Sequence, residues 1–384
     1  MNKLNIGFVF DDSMDRFDGV QQYITTLAEY YTSYGHTVFY FVGETKNKGI
    51  PNLYSLSKNL KIKFNKNVLS IPILTKNSKI VDQILRASNI DVFHVQLPFS
   101  PMLSSKIIKF AHNNNIPVIG TFHILGFNKF QAYGTSILRI LTSKSIRYIN
   151  KIYSISLPAQ VFAKKYYKVN STILGAPVNI NKFTSTKNKK NKKTILFLGR
   201  LVSRKAPIDL LKALVYLKEH NQQAFQIIDN VNIAGSGNQS DLLKEFVIKN
   251  NLDKLVNFLG YVSEDEKVDL FNNSTISVFP SRGGESFGIV LIEAMASGKT
   301  LVLAANNVGY SSVMKNLKDQ LFRTGDYIQL SKLISEYITN PEKVKNGLYH
   351  SRNEVKNFDV NLIGNKILSD MIELVDNYKK KYHN

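Results

Sequence analysis

The chain has 384 residues, with 50 Lys and Arg against 29 Asp and Glu, a net charge of +21, and no cysteine. That length supports two or three domains with sizeable cores. The absent cysteine excludes disulfides, thiolate nucleophiles and zinc–thiolate centres. No apolar run approaches the ~20 residues of a membrane span. Met1 leads straight into a strand pattern, so no signal peptide is expected.

The charge is unevenly placed. From Val92 to Ile208 there are 19 Lys or Arg and no acid, and from Thr45 to Val81 there are eight Lys and no acid. Residues 1–178 carry 21 basic against 8 acidic groups. Such a field favours an anionic partner: a membrane surface, nucleic acid or a phosphorylated substrate. A Lys/Asn-rich composition is the plainer alternative; it explains abundant lysine, and the missing acids less well.

In chain order, Leu4–Phe10 reads as a strand and Asp11–Asp18 as a polar loop. Gly19 opens a helix with Val20, Tyr23, Ile24, Leu27 and Tyr31 at helical spacing. Thr37–Val42 is the second strand. This β-loop-α-β order predicts a doubly wound parallel sheet with its site at the strand C-termini. The absence of G-x-G-x-x-G disfavours a dinucleotide site. Strands at Asp91–Val95 and Ile116–Thr121 follow, and His123 comes directly after the latter. A His there faces the ligand edge of such a sheet; a satisfied structural role is the alternative for it and for His94. Ser136–Lys151 mixes Ile and Leu with Arg139, Lys144, Arg147 and Lys151 and has no acid. A basic interfacial helix is one reading. Its place in the β-α alternation favours the other, a packed helix with Lys and Arg stems outward.

Thr184–Lys193 is polar, charged and aperiodic, and reads as a linker. Thr194–Leu198 starts a second α/β domain, followed by Gly199-Arg200 and Arg204-Lys205. Val256–Val262 is a later strand. The loop Ser263–Lys267 after it has the composition of a helix-capping box. Ile276–Phe279 and Pro280 then lead into RGGESFGIVLIEAMAS, residues 282–297. A Gly283-Gly284 turn feeds a helix from Ile289, whose first amides favour negative charge. Gly288 leaves room for close approach by a ligand. Glu285 in the turn and Glu293 in the helix lie eight residues apart.

The string GGESFGIVLIEAMA with Glu-x(7)-Glu resembles the donor-sugar motif of family 4 retaining glycosyltransferases, and most of all that of bacterial phosphatidylinositol mannosyltransferases. Gly199-Arg200…Arg204-Lys205 resembles the family's G-R-x(3)-R-K, and Gly120–His123 the segment whose His lies by the reacting sugar. The resemblance implies two Rossmann-like α/β domains facing across a cleft, the GT-B type. Residues 1–178 would bind the acceptor and residues 179–359 the nucleotide sugar, with a C-terminal helix at 360–384 crossing back to the first domain.

It further implies that Arg200 and Lys205 neutralise the donor diphosphate, because the leaving group departs as a phosphate anion. Arg204 reads as a surface residue. Glu293 would accept from the ribose hydroxyls. Glu285, Ser286, Phe287, Gly288, Ile289 and Val290 would hold the sugar and its β-phosphate. Val262, Glu264 and Lys267 would hold the base; capping is the alternative for Glu264. His123 would hydrogen-bond a sugar hydroxyl or a backbone oxygen. In the first domain only Gly19 matches the family's Gly-Gly-Val, since Asp18 replaces the first glycine. No cofactor is implied, because the Arg/Lys pair stands in place of a metal. The expected reaction moves a hexose, mannose from GDP-mannose foremost, onto a membrane lipid such as phosphatidylinositol. The enzyme would work from the cytoplasm, peripheral on the inner face of the membrane. A UDP-glucose or UDP-galactose transferase acting on diacylglycerol or a cell-wall polymer is the rival. A sugar-nucleotide epimerase is more remote, and a nucleic-acid binder leaves the donor motif unexplained.

Overall fold

The computed structural model describes residues 3–15, 18–47, 49–64, 67–74, 77–126, 129–184 and 192–382. Within them the short β-branched and aromatic runs form parallel strands, and the segments of helical periodicity cover their faces. The chain divides into two compact units, Met1–Pro177 with Val360–Asn384, and Val178–Asp359. The polar run 184–193 therefore falls inside the second unit, and its residues 185–191 lie outside the described residues.

The first unit runs β1 (Asn5–Phe10), α1 (Gly19–Ser33), β2 (Thr37–Val42), β3 (Leu53–Ser55), β4 (Ser57–Phe64), β5 (Asn67–Leu74), α2 (Ser78–Ala87), β6 (Val92–Leu97), α3 (Leu103–Asn113), β7 (Val118–Phe122), α4 (Lys129–Ile146), β8 (Lys151–Ser154), α5 (Leu157–Phe162) and β9 (Thr172–Ile173). Seven of the strands form one sheet in the order β3-β2-β1-β6-β7-β8-β9, and β4 and β5 make a separate antiparallel hairpin. All pairings in the large sheet are parallel. Its central strands are buried on both faces, as parallel strands under helices must be. Phe8, Phe93, Val95, Ile119 and Phe122 are fully enclosed.

The second unit runs α6 (Ile180–Phe183), β10 (Thr194–Leu198), α7 (Pro207–His220), α8 (Gln222–Gln226), β11 (Asn230–Ala234), α9 (Ser240–Lys249), β12 (Val256–Gly260), α10 (Glu264–Asn272), β13 (Ile276–Phe279), α11 (Ile289–Ser297), β14 (Leu301–Ala305), α12 (Val308–Val313), β15 (Leu321–Phe322), α13 (Tyr327–Thr339) and α14 (Pro341–Val355). Its six parallel strands lie in the order β12-β11-β10-β13-β14-β15. The order reverses between β10 and β13, as in doubly wound sheets, whose ligands bind outside the strand C-termini at that switch point.

The last helix, α15 (Val360–Tyr382), belongs to the first unit. Its Asp370 is buried and accepts hydrogen bonds from the Tyr153 hydroxyl, from Lys151 Nζ at 2.8 Å and from Lys366 Nζ at 2.9 Å. Burial acts to raise the carboxyl's pKa, but these donors outweigh it and hold it below the usual aspartate range. Tyr378 adds a contact at the far end, accepting from Asn150 at 2.7 Å. Asp370→Ala removes a charged acceptor from three donors, each such bond being worth about 1.5–3 kcal/mol. Urea unfolding should show a loss of at least that size at pH 7. The difference should shrink at low pH, because stability from a carboxylate with a lowered pKa is lost as pH falls. A variant as stable as the parent at pH 7 would remove Asp370 as the anchor.

Candidate active site

In the second unit the site is built by two loops at the switch point. One leaves β10 and runs from Gly199 to Ala206; the other leaves β13 and runs from Pro280 to Gly288. Neither is regular, so side chains hold them. Glu285 is paired with Arg204 and with Lys205 Nζ at 3.0 Å, and accepts from Ser281 Oγ at 2.8 Å. Arg204 also donates to the Gly283 carbonyl at 3.2 Å, and the Arg204 carbonyl accepts from Arg282 N at 2.9 Å. Arg282 forks onto buried Asp209, Nε to Oδ2 at 3.0 Å and NH2 to Oδ1 at 2.5 Å. Arg204 is thus not a surface residue; it is the pivot that ties the two loops together.

The electrostatics follow. Burial pushes the Glu285 carboxyl up, but Lys205 and Arg204 override it and hold the group below the usual glutamate range. Burial pushes the Lys205 ammonium down, with Arg204 and Arg200 adding to the effect against the pull of Glu285. Arg200 itself is exposed. Two cations pair with one carboxylate here and Arg200 adds a third charge near Lys205, so the loop pair keeps excess positive charge.

Ser286 and Phe287 lead from this cluster into α11; Phe287 is buried edge-on to Phe358, with ring centroids 5.3 Å apart. The missing side chain at Gly288 makes room for Tyr310. A Cβ there would lie 2.7 Å from the Tyr310 ring, and its φ of +132° suits glycine alone, so the space is taken by Tyr310. Gly309 likewise lets the start of α12 abut the chain at Glu285, whose carbonyl would lie 2.0 Å from any Cβ. Ile289 and Val290 open α11 and are partly exposed. Their amides, like those of any first helical turn, have no partner within the helix.

Glu293, one turn along, is buried and joined to Lys267 Nζ at 2.7 Å. Lys267 also pairs with Glu264 at 2.9 Å and stands 5.5 Å over the Phe183 ring. Burial raises the Glu293 carboxyl, against the pull of Lys267. The capping box expected near here exists, but Ser263 and Glu266 make it. Glu264 is the first residue of α10 and turns to Lys267 instead. Val262 precedes it, partly exposed. The structure thus brings Arg200, Lys205 and Glu285 together, and separately Glu264, Lys267 and Glu293.

In the first unit, Gly19 begins α1, and Asp18 precedes it in extended conformation without a side-chain cap. Residues 16–17 of that loop lie outside the described residues. His94 and Gln96 share a face of β6, as residues two apart do. His94 Nε2 lies 2.8 Å from Thr121 Oγ1, which lies 3.0 Å from the Tyr23 hydroxyl. His123 Nε2 lies 2.7 Å from Gln96 Oε1, and Tyr23 meets the His123 ring edge-on at 4.8 Å. Burial drives both imidazoles down to about 3, so both are neutral. Asp11, just past β1, caps α3 from a distance by accepting from Ser100 N and Ser104 N and Oγ. Sequence reading missed Asp11, Gln96, Asp209 and Arg282, whose partners lie tens of residues away and leave no local pattern.

A doubly wound unit with a cationic loop pair at its switch point, beside a helix N-terminus, is built to receive an anion. The family model "Glycosyl transferases group 1" matches residues 179–353, and "Glycosyltransferase Family 4" matches residues 17–173. The chain thus carries glycosyltransferase domains of both descriptions. It is 28% identical over 324 residues to the phosphatidyl-myo-inositol mannosyltransferase of Mycobacterium tuberculosis, covering 82% of this chain and 80% of the relative. It is 26% identical to the Mycobacterium leprae protein of that name, over 95% of this chain and 96% of the relative. Among solved structures, a Rickettsia africae glycosyltransferase aligns with a TM-score of 0.73 and 21% identity, covering 98% of this chain and 100% of the other. Anabaena HepE with UDP-glucose aligns at 0.72 and 16%, covering 96% and 100%. The fold is thus of the GT-B class.

The buried neutral histidines give a pH signature. An imidazole held near 3 in the folded chain regains a proton near 6.5 on unfolding. The unfolded state therefore binds more protons between those values, and stability falls as pH falls through them. Each imidazole should account for about 2 kcal/mol of lost stability between pH 7 and 5. Urea unfolding of the parent and of His94→Asn across this range should give a flatter profile for the variant; parallel profiles would contradict the assignment.

Proposed function

We propose that the chain transfers a hexose, with retention, from a nucleotide-diphosphate sugar to a lipid acceptor at an anionic membrane surface. The observation that carries this reading is the excess of cations at the second unit's switch point, where Arg204 and Lys205 pair with Glu285 and Arg200 adds its charge near Lys205. A diphosphate is the ligand that this field would neutralise. Arg200 and Lys205 hold it, with the amides of Ile289 and Val290. Glu293 takes the ribose hydroxyls with the oxygen that Lys267 leaves free. Val262, Glu264 and Lys267 border the base. Glu285 holds the transferred sugar, and His123 in the first unit hydrogen-bonds a sugar hydroxyl.

The acceptor hydroxyl attacks the anomeric carbon on the face from which the phosphate leaves. The C–O bond to phosphate breaks as the new C–O bond forms, and the departing phosphate oxygen takes the hydroxyl proton. No protein nucleophile is assigned. The mannosyltransferase relatives favour GDP-mannose and phosphatidylinositol. Anabaena HepE, solved with UDP-glucose, keeps a UDP-hexose donor as the second reading. A thermal-shift comparison of GDP- and UDP-sugars decides between them. Arg200→Ala or Lys205→Ala should weaken binding of the winning donor by about 1.5–3 kcal/mol, roughly 10- to 150-fold in Kd. Calorimetry showing undiminished affinity in both variants would rule out the diphosphate role.

The membrane part rests on α4. As expected the helix packs, but its outward face is not only Lys and Arg stems. Thr135, Thr142 and Ser145 point inward, while Ile137, Ile140 and Leu141 are 49%, 66% and 59% exposed. Leu157 and Val161 of α5 are exposed as well. Among the described residues, no helix is long and apolar enough to cross a membrane. This apolar face with Arg139, Lys144 and Arg147 suits shallow insertion into an anionic leaflet. Basic residues near such a surface add about 1 kcal/mol each. In flotation assays the protein should bind anionic vesicles, release in about 0.5 M salt as charges are screened, and bind weakly as Ile140→Ser with Leu141→Ser. Equal binding to neutral and anionic vesicles, or none at low salt, would move the acceptor to a soluble glycan.

A further inference from the structure

We infer that Gln96 is a positioning residue that fixes the tautomer of His123, so that this imidazole presents Nδ1 as a bare hydrogen-bond acceptor for a ligand hydroxyl. The proposal rests on the reading of His123 as a sugar-contacting residue, but its core, the tautomer, is a property of the protein alone.

The argument starts from an atom that can only accept. The main-chain carbonyl of His94, on β6, lies 3.2 Å from Gln96 Nε2. A carbonyl has no hydrogen to give, so the amino end of the Gln96 carboxamide faces it and the oxygen faces the other way. That oxygen, Oε1, is 2.7 Å from His123 Nε2. It too can only accept, so His123 Nε2 must carry the hydrogen. A neutral imidazole has one N–H. Burial keeps His123 neutral, and its Nδ1 is therefore a lone pair. Among the described residues Nδ1 has no hydrogen-bond partner. Turning the ring over would put a ring carbon in place of Nε2 and lose the Gln96 bond, and the His123 backbone is tied to Leu97 O at 3.0 Å. Gln96 is 3% exposed, so water does not compete for its bond.

The chemistry of the ligand follows. A lone pair at Nδ1 accepts from a hydroxyl and repels a phosphate, carboxylate or carbonyl oxygen. Its partner is thus a polyol hydroxyl, and of the two groups open to His123 at the outset, the backbone oxygen is the one excluded. The neutral partner also matters. A carboxylate at position 96 would favour imidazolium, which would turn Nδ1 into a donor. Gln96 therefore serves where the Asp or Glu of an acid–base pair would invert the site's preference.

The test is long-range nitrogen–proton NMR on histidine-labelled, ligand-free protein. Wild-type His123 should show the Nε2–H tautomer and not titrate between pH 5 and 8. Gln96→Glu should give His123 a titration near neutrality. Gln96→Leu, which holds the fold without either charge, should give a mixture of tautomers. Circular dichroism and unfolding midpoints confirm that each variant is folded. In turnover, Gln96→Glu should be impaired by about tenfold, the worth of one hydrogen bond, below the new His123 pKa. It should recover above that pKa, a pH dependence that general loss of packing does not produce. An Nδ1–H tautomer in the wild type, or a His123 signal indifferent to both substitutions, overturns the proposal. Adding sugar nucleotide or nucleotide alone separates the two layers. A shift of His123 Nδ1 with the sugar nucleotide only ties it to the transferred hexose, and a shift with the lipid headgroup polyol only ties it to the acceptor. No shift with any ligand, the tautomer being as stated, refutes His123 as a ligand contact and leaves the function of Gln96 on the imidazole intact.

Discussion

One carboxylate organises the ligand edge of the second unit. Glu285 comes from a turn after β13, and its partners Arg204 and Lys205 come from a loop after β10, with 81 residues separating Arg204 from Glu285. A half-buried carboxylate without cations carries a desolvation penalty of several kcal/mol. Adjacent cations without the carboxylate repel one another. Each loop therefore keeps its shape only while the other is present, and the Arg282–Asp209 fork locks the pair against α7. The same bond that builds the loops sets the field. One negative charge is enough to hold Arg204 in place and too little to neutralise its neighbours, so the edge is both rigid and anion-seeking.

How far the sequence disclosed this differs by kind of feature. Strand positions were plain where a short apolar run had sharp ends: Thr37–Val42 and Thr194–Leu198 form where their periodicity predicts. The C-terminal helix and the strand–turn–helix at Gly283–Ser297 were equally legible, because composition and turn residues are local signals. Helix α4 was placed several residues too late, since nothing between Lys129 and Ser136 breaks or starts a helix unambiguously. The pairings that hold the site were hidden for a different reason. Arg204 looked like a surface residue because its role depends on a turn far along the chain. Nor could the sequence say that Tyr310 would pack where Gly288 has no side chain. Among the roles assigned by resemblance, Glu264 and Lys267 come together with Glu293, a grouping that their spacing alone, 26 residues from Lys267 to Glu293, could not give.

The first unit departs twice from the ordinary partition of polar and apolar groups. Inside, at the C-terminal ends of β6 and β7, it encloses His94, Gln96, Thr121 and His123. These groups are tolerable there because nearly all of them are neutral and hydrogen-bonded; an enclosed polar group without partners costs about 1–3 kcal/mol. Among them His94 Nδ1 alone is buried and without a partner. The Tyr23 hydroxyl closes the chain through Thr121, and its pKa too is raised by burial. Dryness is what keeps both histidines uncharged, so the donor and acceptor pattern is set by geometry and not by pH.

Outside, α4 reverses the arrangement. Its inward face is made of hydroxyls that satisfy one another: Thr142 bonds the Leu138 carbonyl at 2.7 Å and lies 3.1 Å from the Tyr167 hydroxyl, and Ser145 lies 2.9 Å from Ser105. Small hydroxyl side chains let the helix lie close to α3. They leave Ile137, Ile140 and Leu141 facing outward. Full burial of each such side chain would be worth about 1.5–3 kcal/mol, and in water that stabilisation is forgone three times over on one helix. That loss sits beside a run of cations with no acid between Val92 and Ile208. A medium that is apolar below and anionic above would recover both terms at once. The outward face of α4 therefore makes physical sense against a lipid surface, as the buried face of β6 and β7 makes sense against a hydroxyl.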